Sequence, residues 1–255
     1  MKRHFVWLIA LTWFYLPLVA ESADDATGFR RARADMVRHQ IKQRGISDER
    51  VLSAMTDVPR HKFVPENLKS RAYLDQPLPI GEGQTISQPY IVALMTESLA
   101  LDAGALVLEI GTGSGYQAAV LSRMVADVFT VEIKKGLFQR ATRLLQAENF
   151  DNVTTRLGDG YYGWKEKAPF DAIMITAAVD HIPPPLLKQL KNGGRLILPL
   201  GNPFSYQNLV LVTKRNGDFT VKQITGVLFV PMTGKALSES KEIYDNNIPA
   251  TMLNP

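Results

Sequence analysis

Three carboxylates and one glycine-rich turn carry the chemistry legible in this 255-residue chain. Glu109 sits near the end of an apolar run from Ala105 to Ile110. Glu132 closes a second run, Val128 to Val131, and Asp159 follows Val153 to Leu157 inside Gly158-Asp159-Gly160. Between the first two acids lies Gly111-Thr112-Gly113-Ser114-Gly115. Glycines spaced in this way let the backbone turn tightly and approach a ligand, with the N–H groups of the next helix facing it. Position 116, where a dinucleotide fingerprint needs its third glycine, holds Tyr116, which weakens a hydride-transfer reading. Glu132 stands about 20 residues past Gly111, where an acid that takes ribose hydroxyls is expected.

Each feature alone has a plainer reading: a strand-to-helix turn, a solvated strand-end Glu132, an ordinary Asp-Gly turn at Asp159. Three acids at successive strand ends argue for a shared ligand, because open α/β sheets bind ligands at the carboxyl ends of their strands. Glu109 closes an apolar strand, where an unpartnered carboxylate is costly. A cationic, phosphate-free cofactor suits such a site. S-adenosylmethionine carries positive charge at its sulfonium and amino groups, so nearby carboxylates gain Coulomb energy that a pyrophosphate would lose.

Positioning these residues requires alternating strands and helices. Strands are expected at 105–110, 128–133, 153–157, 170–175 and 195–199, with helices at about 116–125, 135–148 and 184–191. This alternation predicts an α/β, Rossmann-like doubly wound, mostly parallel sheet. Leu209 to Thr213 and Phe219 to Phe229, around the turn signal Asn216-Gly217, predict an antiparallel hairpin at one edge. Asp35 to Pro65 reads as an N-terminal helical cap.

Several chemistries are excluded. The chain has no cysteine, which removes disulfides, thiol catalysis and cysteine zinc sites. No Gly-x-Ser-x-Gly elbow or Walker loop occurs. His39, His61 and His181 lack partners at metal-ligand spacing, so no metal is expected. The place after the fourth core strand holds Thr176-Ala177-Ala178, without the Asp/Asn-Pro-Pro-aromatic motif of many amino-group methyltransferases.

From about Met36 to Gly234 the chain resembles the protein-L-isoaspartate O-methyltransferases, a class I S-adenosylmethionine-dependent family. The resemblance rests on Val58 through Pro65, Tyr73 through Asp75, Pro77 through Tyr90, the glycine turn, Gly158-Asp159-Gly160 with Gly163-Trp164, Ala168 through Asp171, Thr176 through Ala178, Gly193 through Leu196, and Phe229-Val230-Pro231. The glycine turn would mark only the class; Gln84 through Pro89 marks the family. The resemblance implies methyl transfer to the α-carboxylate of L-isoaspartyl residues in damaged proteins, and places Ser87 at the active site. It implies cofactor contacts from Thr85, Ile86, Glu109, Gly111, Thr112, Gly113, Ser114, Gly115, Glu132, Asp159 and Gly160. Substrate contacts are expected from Ser87, Gln88, Pro89, Val230 and Pro231. Ser87 has a second reading, as the N-cap of a helix beginning near Pro89. Competing functions are another class I methyltransferase acting on a carboxylate or hydroxyl, and a non-enzymatic module that keeps the fold.

The hydrophobic fraction of 45% suffices for one large core. The net charge of +4 is modest. Arg30, Arg31, Arg33, Arg38, Lys42 and Arg44 form a basic stretch, but Met36, Val37 and Ile41 recur at helical spacing, so a solvated helix face is expected and not a nucleic-acid site. Lys2-Arg3-His4 followed by apolar Phe5 to Ala20 reads as an export leader. The apolar run is short for a membrane span, with an uncleaved anchor as the alternative to cleavage; translation from Met36 would instead leave the chain in the cytoplasm, where the cofactor is made. The expected organisation is a leader at 1–22, a flexible lead-in at 23–34, and a catalytic domain at 35–235. Within that domain lie the cap (35–104), the cofactor core (105–200) and an edge and substrate side (201–235). A polar tail covers 236–255. The mature chain is expected to be a monomer without membrane insertion.

Overall fold

The computed structural model describes residues 23–238, so the leader and residues 239–255 of the tail lie outside the described residues. Residues 23–34 are helical and not a flexible lead-in. Helix α1 (Ala23–Asp35) continues through a π-helical turn at Met36–Ile41 and a 3-10 turn at Lys42–Arg44, ending at Gly45 with φ 100°. Burial of Met36, Val37 and Ile41 anchors this otherwise polar segment, while Arg30, Arg31, Arg38, Lys42 and Arg44 remain exposed. Helix α2 (Glu49–Asp57) is capped by Asp48, whose carboxylate accepts from Arg50 N at 2.9 Å, a contact worth about 1 kcal/mol.

The cap is not helical throughout. Strands β1 (Leu78–Gly81) and β2 (Gln84–Ile86) form an antiparallel hairpin. Its turn residues Glu82 and Gly83 have φ of 53° and 71°, the left-handed pair that matches the strand twist. Helix α3 (Pro89–Leu99) follows, with Pro89 at its first position, where a missing N–H costs nothing.

The core runs β3 (Leu106–Ile110), α4 (Tyr116–Ser122), β4 (Asp127–Glu132), α5 (Lys135–Ala147), β5 (Val153–Leu157), β6 (Phe170–Ile175), α6 (Pro184–Gln189), β7 (Leu190–Gly201), β8 (Gln207–Arg215) and β9 (Asp218–Val227). One seven-stranded sheet has the order β5-β4-β3-β6-β7-β8-β9. Its strands are parallel through β7, and β8 and β9 add the antiparallel edge. The expected Rossmann-like architecture is therefore present. β7 begins at Leu190, earlier than expected, because a register shift lets Leu190 pair with Phe170; α6 stops at Gln189 in consequence. The edge hairpin turns at Asn216 and Gly217, with φ of 52° and 91°. β9 ends at Val227, and the chain beyond it leaves the sheet to bridge Ala178 through Pro231. Lys235 to Ser238 form a helical turn that buries Ala236, so the tail's first residues are packed.

Alternation along the strands divides the core into two layers. Val107, Ala172 and Met174 face one layer with Met55, Met95 and Leu121, while Leu108, Ile110, Ile173 and Ile175 face the other with Phe170 and Leu186. Each of the larger side chains among them contributes about 1.5–3 kcal/mol. By the same alternation Glu109 belongs to the apolar layer of Val107. The strand order reverses between β3 and β6, which opens a crevice beyond their carboxyl ends. Among the described residues no helix is long and apolar enough to cross a membrane.

Candidate active site

A cleft occupies that crevice, at the place where open α/β sheets bind small molecules. It is walled chiefly by β2 into Ser87, Glu109 to Ser114, Val131 to Lys134, Thr176-Ala177 and Val230 to Thr233, with Val92, Tyr116, Gln117 and Gly160 completing it. Val230 and Pro231 are brought there by the bridge to Ala178, in which Ala178 N donates to Val230 O and Met232 N donates to Ala178 O, both at 2.8 Å.

The glycine turn is packed against β6. Gly111 has φ 99°, and a Cβ there would lie 2.4 Å from Thr176 Oγ1, so both conformation and space require glycine. Thr176 Oγ1 shares its hydroxyl between Gly111 O (2.7 Å) and Ile110 O (3.0 Å). Four of the five amides of the turn are already engaged: Gly111 and Thr112 donate to Val131 O, Gly115 donates to Thr112 O, and Gly113 donates to Glu132 Oε2 at 2.8 Å; just beyond it Tyr116 N donates to Ser114 Oγ. A turn with most of its donors spent, beside a carboxylate, is poorly built to cradle a pyrophosphate as a dinucleotide loop does.

Charge points the same way. Glu109 is fully buried; its Oε2 accepts from Thr130 Oγ1 at 2.5 Å, and Thr130 Oγ1 meets Thr112 Oγ1 at 2.6 Å. Its Oε1 has no partner among the described residues. Burial, with a smaller push from Glu132, raises the Glu109 carboxyl to about 8. A buried acceptor left open on a cleft wall fits the cationic end of S-adenosylmethionine and would ionise beside it. Glu132 is also buried, and its second oxygen accepts from Lys134 N at 2.8 Å. Each of its oxygens keeps a lone pair for a further donor such as a ribose hydroxyl.

Not every residue expected in the site reaches it. Thr85, Ile86, Ser87, Glu109, Gly111, Thr112, Gly113, Ser114, Glu132, Gly160, Val230 and Pro231 line the cleft. Asp159 does not: Oδ1 accepts from Tyr161 N (3.0 Å) and Oδ2 from Lys235 N (2.8 Å), so its carboxylate holds the turn that presents Gly160. Gly115 packs towards Ala141 and Leu145. Pro89 is buried in the first turn of α3. Gln88 lies outside the cleft, its amide donating to Asp75 Oδ2 at 2.8 Å, and it faces an adjoining groove instead. Ser87 does not cap α3, since Gln88 is the cap residue and no side chain bonds there. The Ser87 hydroxyl makes no hydrogen bond within the described residues and is free to meet a ligand.

Thr176, Ala177, Ile133, Met232 and Thr233 also line the cleft and were not singled out as contacts. Ile133 follows Glu132 directly, and Thr176 follows the last residue of β6; both positions are strand ends, which is the signal that could have found them. The Val58 to Pro65 segment stands away from the cleft. Its Phe63 packs edge-on to Tyr116 (5.6 Å between ring centroids) and the buried Arg60 guanidinium lies 4.9 Å from the same ring, so it buttresses the helix that follows the glycine turn.

A spent glycine turn, strand-end acids and a topological switch point define a class I methyltransferase, the class that uses S-adenosylmethionine. The protein-L-isoaspartate(D-aspartate) O-methyltransferase family model matches residues 31–237. The chain is 61% identical to protein-L-isoaspartate O-methyltransferase 2 of Shewanella sediminis, over 94% of this chain and 99% of that one. The chain belongs to this family. It is 56% identical to protein-L-isoaspartate O-methyltransferase 2 of a Polaromonas species, over 74% of this chain and 90% of the relative. A solved protein-L-isoaspartate O-methyltransferase superimposes with a TM-score of 0.74 at 34% identity, covering 81% of this chain and 67% of that one. A Plasmodium falciparum structure described as a putative protein-L-isoaspartate O-methyltransferase, in complex with S-adenosyl-L-homocysteine, superimposes at 0.69 and 26% identity, covering 79% and 98%.

Proposed function

We propose that this chain transfers a methyl group to the α-carboxylate of L-isoaspartyl residues in damaged peptides and proteins. The observation that carries the reading is the unbonded Ser87 hydroxyl at the rim of a cleft whose floor fits S-adenosylmethionine. When bound, S-adenosylmethionine supplies an electrophilic methyl carbon, and its sulfur takes the carbon–sulfur bonding pair as the acceptor oxygen bonds to that carbon. An isoaspartyl α-carboxylate is ionised at neutral pH, so no general base is required. What the protein supplies is position, which is worth on the order of 7–11 kcal/mol. Ser87 donates a hydrogen bond that orients the carboxylate. Glu109 faces the cationic groups, Glu132 takes the ribose hydroxyls, and Thr85, Ile86 and the 111–114 turn enclose the cofactor. Val230 and Pro231 wall the substrate side. The ester then closes to a succinimide by attack of the backbone nitrogen with loss of methanol, and hydrolysis returns part of it as normal aspartate.

Mass spectrometry of an isoaspartyl peptide treated with enzyme and cofactor tests this chemistry. A methyl ester that decays to succinimide supports it; a stable methyl adduct elsewhere on the peptide contradicts it.

We further propose that residues 1–22 direct export, supported by the basic start and apolar run of the sequence, and that the mature chain is a monomer. Protein from its native source should begin between Glu21 and Asp24, and a cytosolic chain beginning at Met36 would refute export. Light scattering should give one chain's mass, and a dimer mass would refute the monomer.

A further inference from the structure

We propose that the groove beside Ser87 seats the side chain of a residue next to the isoaspartyl residue and selects an apolar one. The inference rests on the function proposed above. Thr85 and Ser87 line both the cleft and this groove, whose far wall is formed by Tyr206, Leu228 and Phe229 facing Ile91. A polypeptide whose carboxylate reaches Ser87 therefore has its preceding residue one Cα step of about 3.8 Å away, and its following residue one methylene farther because the chain continues through the isoaspartyl side chain, so a neighbouring residue reaches the groove's mouth.

The groove's lining carries no Asp, Glu, Lys or Arg side chain, so the chemistry it recognises is apolar or aromatic. Leu228 is 77% exposed and Tyr206 58% exposed, and adjoining large apolar side chains left in water beside an active site mark a binding surface. The walls are fastened to each other. Fully buried Gln207 donates through Nε2 to Asn202 O (2.7 Å) and Ser205 O (2.8 Å), and accepts at Oε1 from Phe229 N (2.9 Å). One side chain thus ties the loop before Tyr206 to the segment after Leu228. The Tyr206 ring lies across Gly226, where a Cβ would fall 1.3 Å from the hydroxyl oxygen; any larger residue there must push the ring away. The groove is therefore preformed, and a side chain at position 226 would displace the Tyr206 ring.

The test uses isoaspartyl peptides in two series, one varying the preceding residue and one the following residue between Leu and Ser. In one series kcat/KM should favour Leu by about tenfold, chiefly through KM, the scale of filling an apolar pocket. Tyr206→Ala, and separately Gly226→Ala, should cut that ratio by at least about threefold. Val221→Ala, at an exposed position of β9 away from the groove, should leave it unchanged. Equal kcat/KM for Leu and Ser in both series, or a ratio that both groove variants preserve, would overturn the inference while leaving the methyltransferase reading intact. If no peptide is esterified, that reading falls and this one with it.

Discussion

Glu132 joins two strand ends with one carboxylate: Oε2 accepts from Gly113 N and Oε1 from Lys134 N, each at 2.8 Å. The same group holds the glycine turn in shape and presents two lone pairs to the cleft. Glu132→Ala should weaken S-adenosylhomocysteine binding by about 1.5–3 kcal/mol, the scale of lost hydrogen bonds to a charged group. Glu132→Gln, which keeps one acceptor, should fall between. Calorimetry that finds unchanged affinity in a folded Glu132→Ala protein would remove this residue from the site.

Glu109 makes stability pH-dependent. In the unfolded chain it ionises near its ordinary value of 4.5, but in the folded chain burial holds it protonated up to about 8. The folded state thus binds the extra proton in this window, so the contribution is fully present below 4.5 and is lost as pH rises through about 8, with a slope of at most ~1.4 kcal/mol per unit. Glu109→Gln mimics the protonated acid and should flatten that slope, gaining on the parent as pH rises. Urea unfolding at several pH values measures it; parallel profiles for the two proteins would contradict the assignment. The variant should also bind S-adenosylmethionine more weakly, having lost the anion.

Ser87 separates structure from turnover because it caps nothing. Ser87→Ala should change stability by less than about 0.5 kcal/mol, since the hydroxyl of this half-buried residue is unbonded and its loss breaks no contact within the fold. Its turnover should fall by roughly tenfold or more, the loss of a hydrogen bond to a carboxylate. Ser87→Asp places a negative charge beside the substrate carboxylate and should leave little turnover with cofactor binding retained. A Ser87→Asp enzyme that keeps most of its rate would exclude the proposed contact.

Gly111 and Thr176 form a coupled pair across the switch point. Gly111→Ala should cost about 1–3 kcal/mol, from a left-handed backbone and from overlap with Thr176 Oγ1. Adding Thr176→Ala removes the overlap, so the double variant should be more stable than the sum of the two single changes predicts. Additive denaturation free energies would show that the contact carries no strain.

The central parallel strands were legible because they are buried on both faces and read as apolar runs, as β3, β4 and β6 do; β5, at the sheet edge, is largely exposed and carries Thr154, Thr155 and Arg156. The β1-β2 hairpin was not. Its strands are short, Pro79 interrupts the first, and its turn begins with Glu82 in a left-handed conformation, a place where Asn, Asp or Gly would have signalled it. The strand-end acids were visible from their spacing, yet Asp159 is engaged by the amide of Lys235, 76 residues away, a pairing no local pattern encodes. Glu109 was legible as an anomaly, since a carboxylate in an apolar strand needs a reason. Ser87 came from the family resemblance; neither its type nor its spacing distinguishes it from a cap, and only the fold shows its hydroxyl unbonded.

The central claim is tested most directly by labelled methyl transfer from S-adenosylmethionine to two peptides that differ only in carrying isoaspartate or aspartate at one position. Rapid, base-labile labelling of the isoaspartyl peptide, with little or none of its aspartyl isomer, is the result predicted. Equal labelling of both peptides, or of neither, would contradict it.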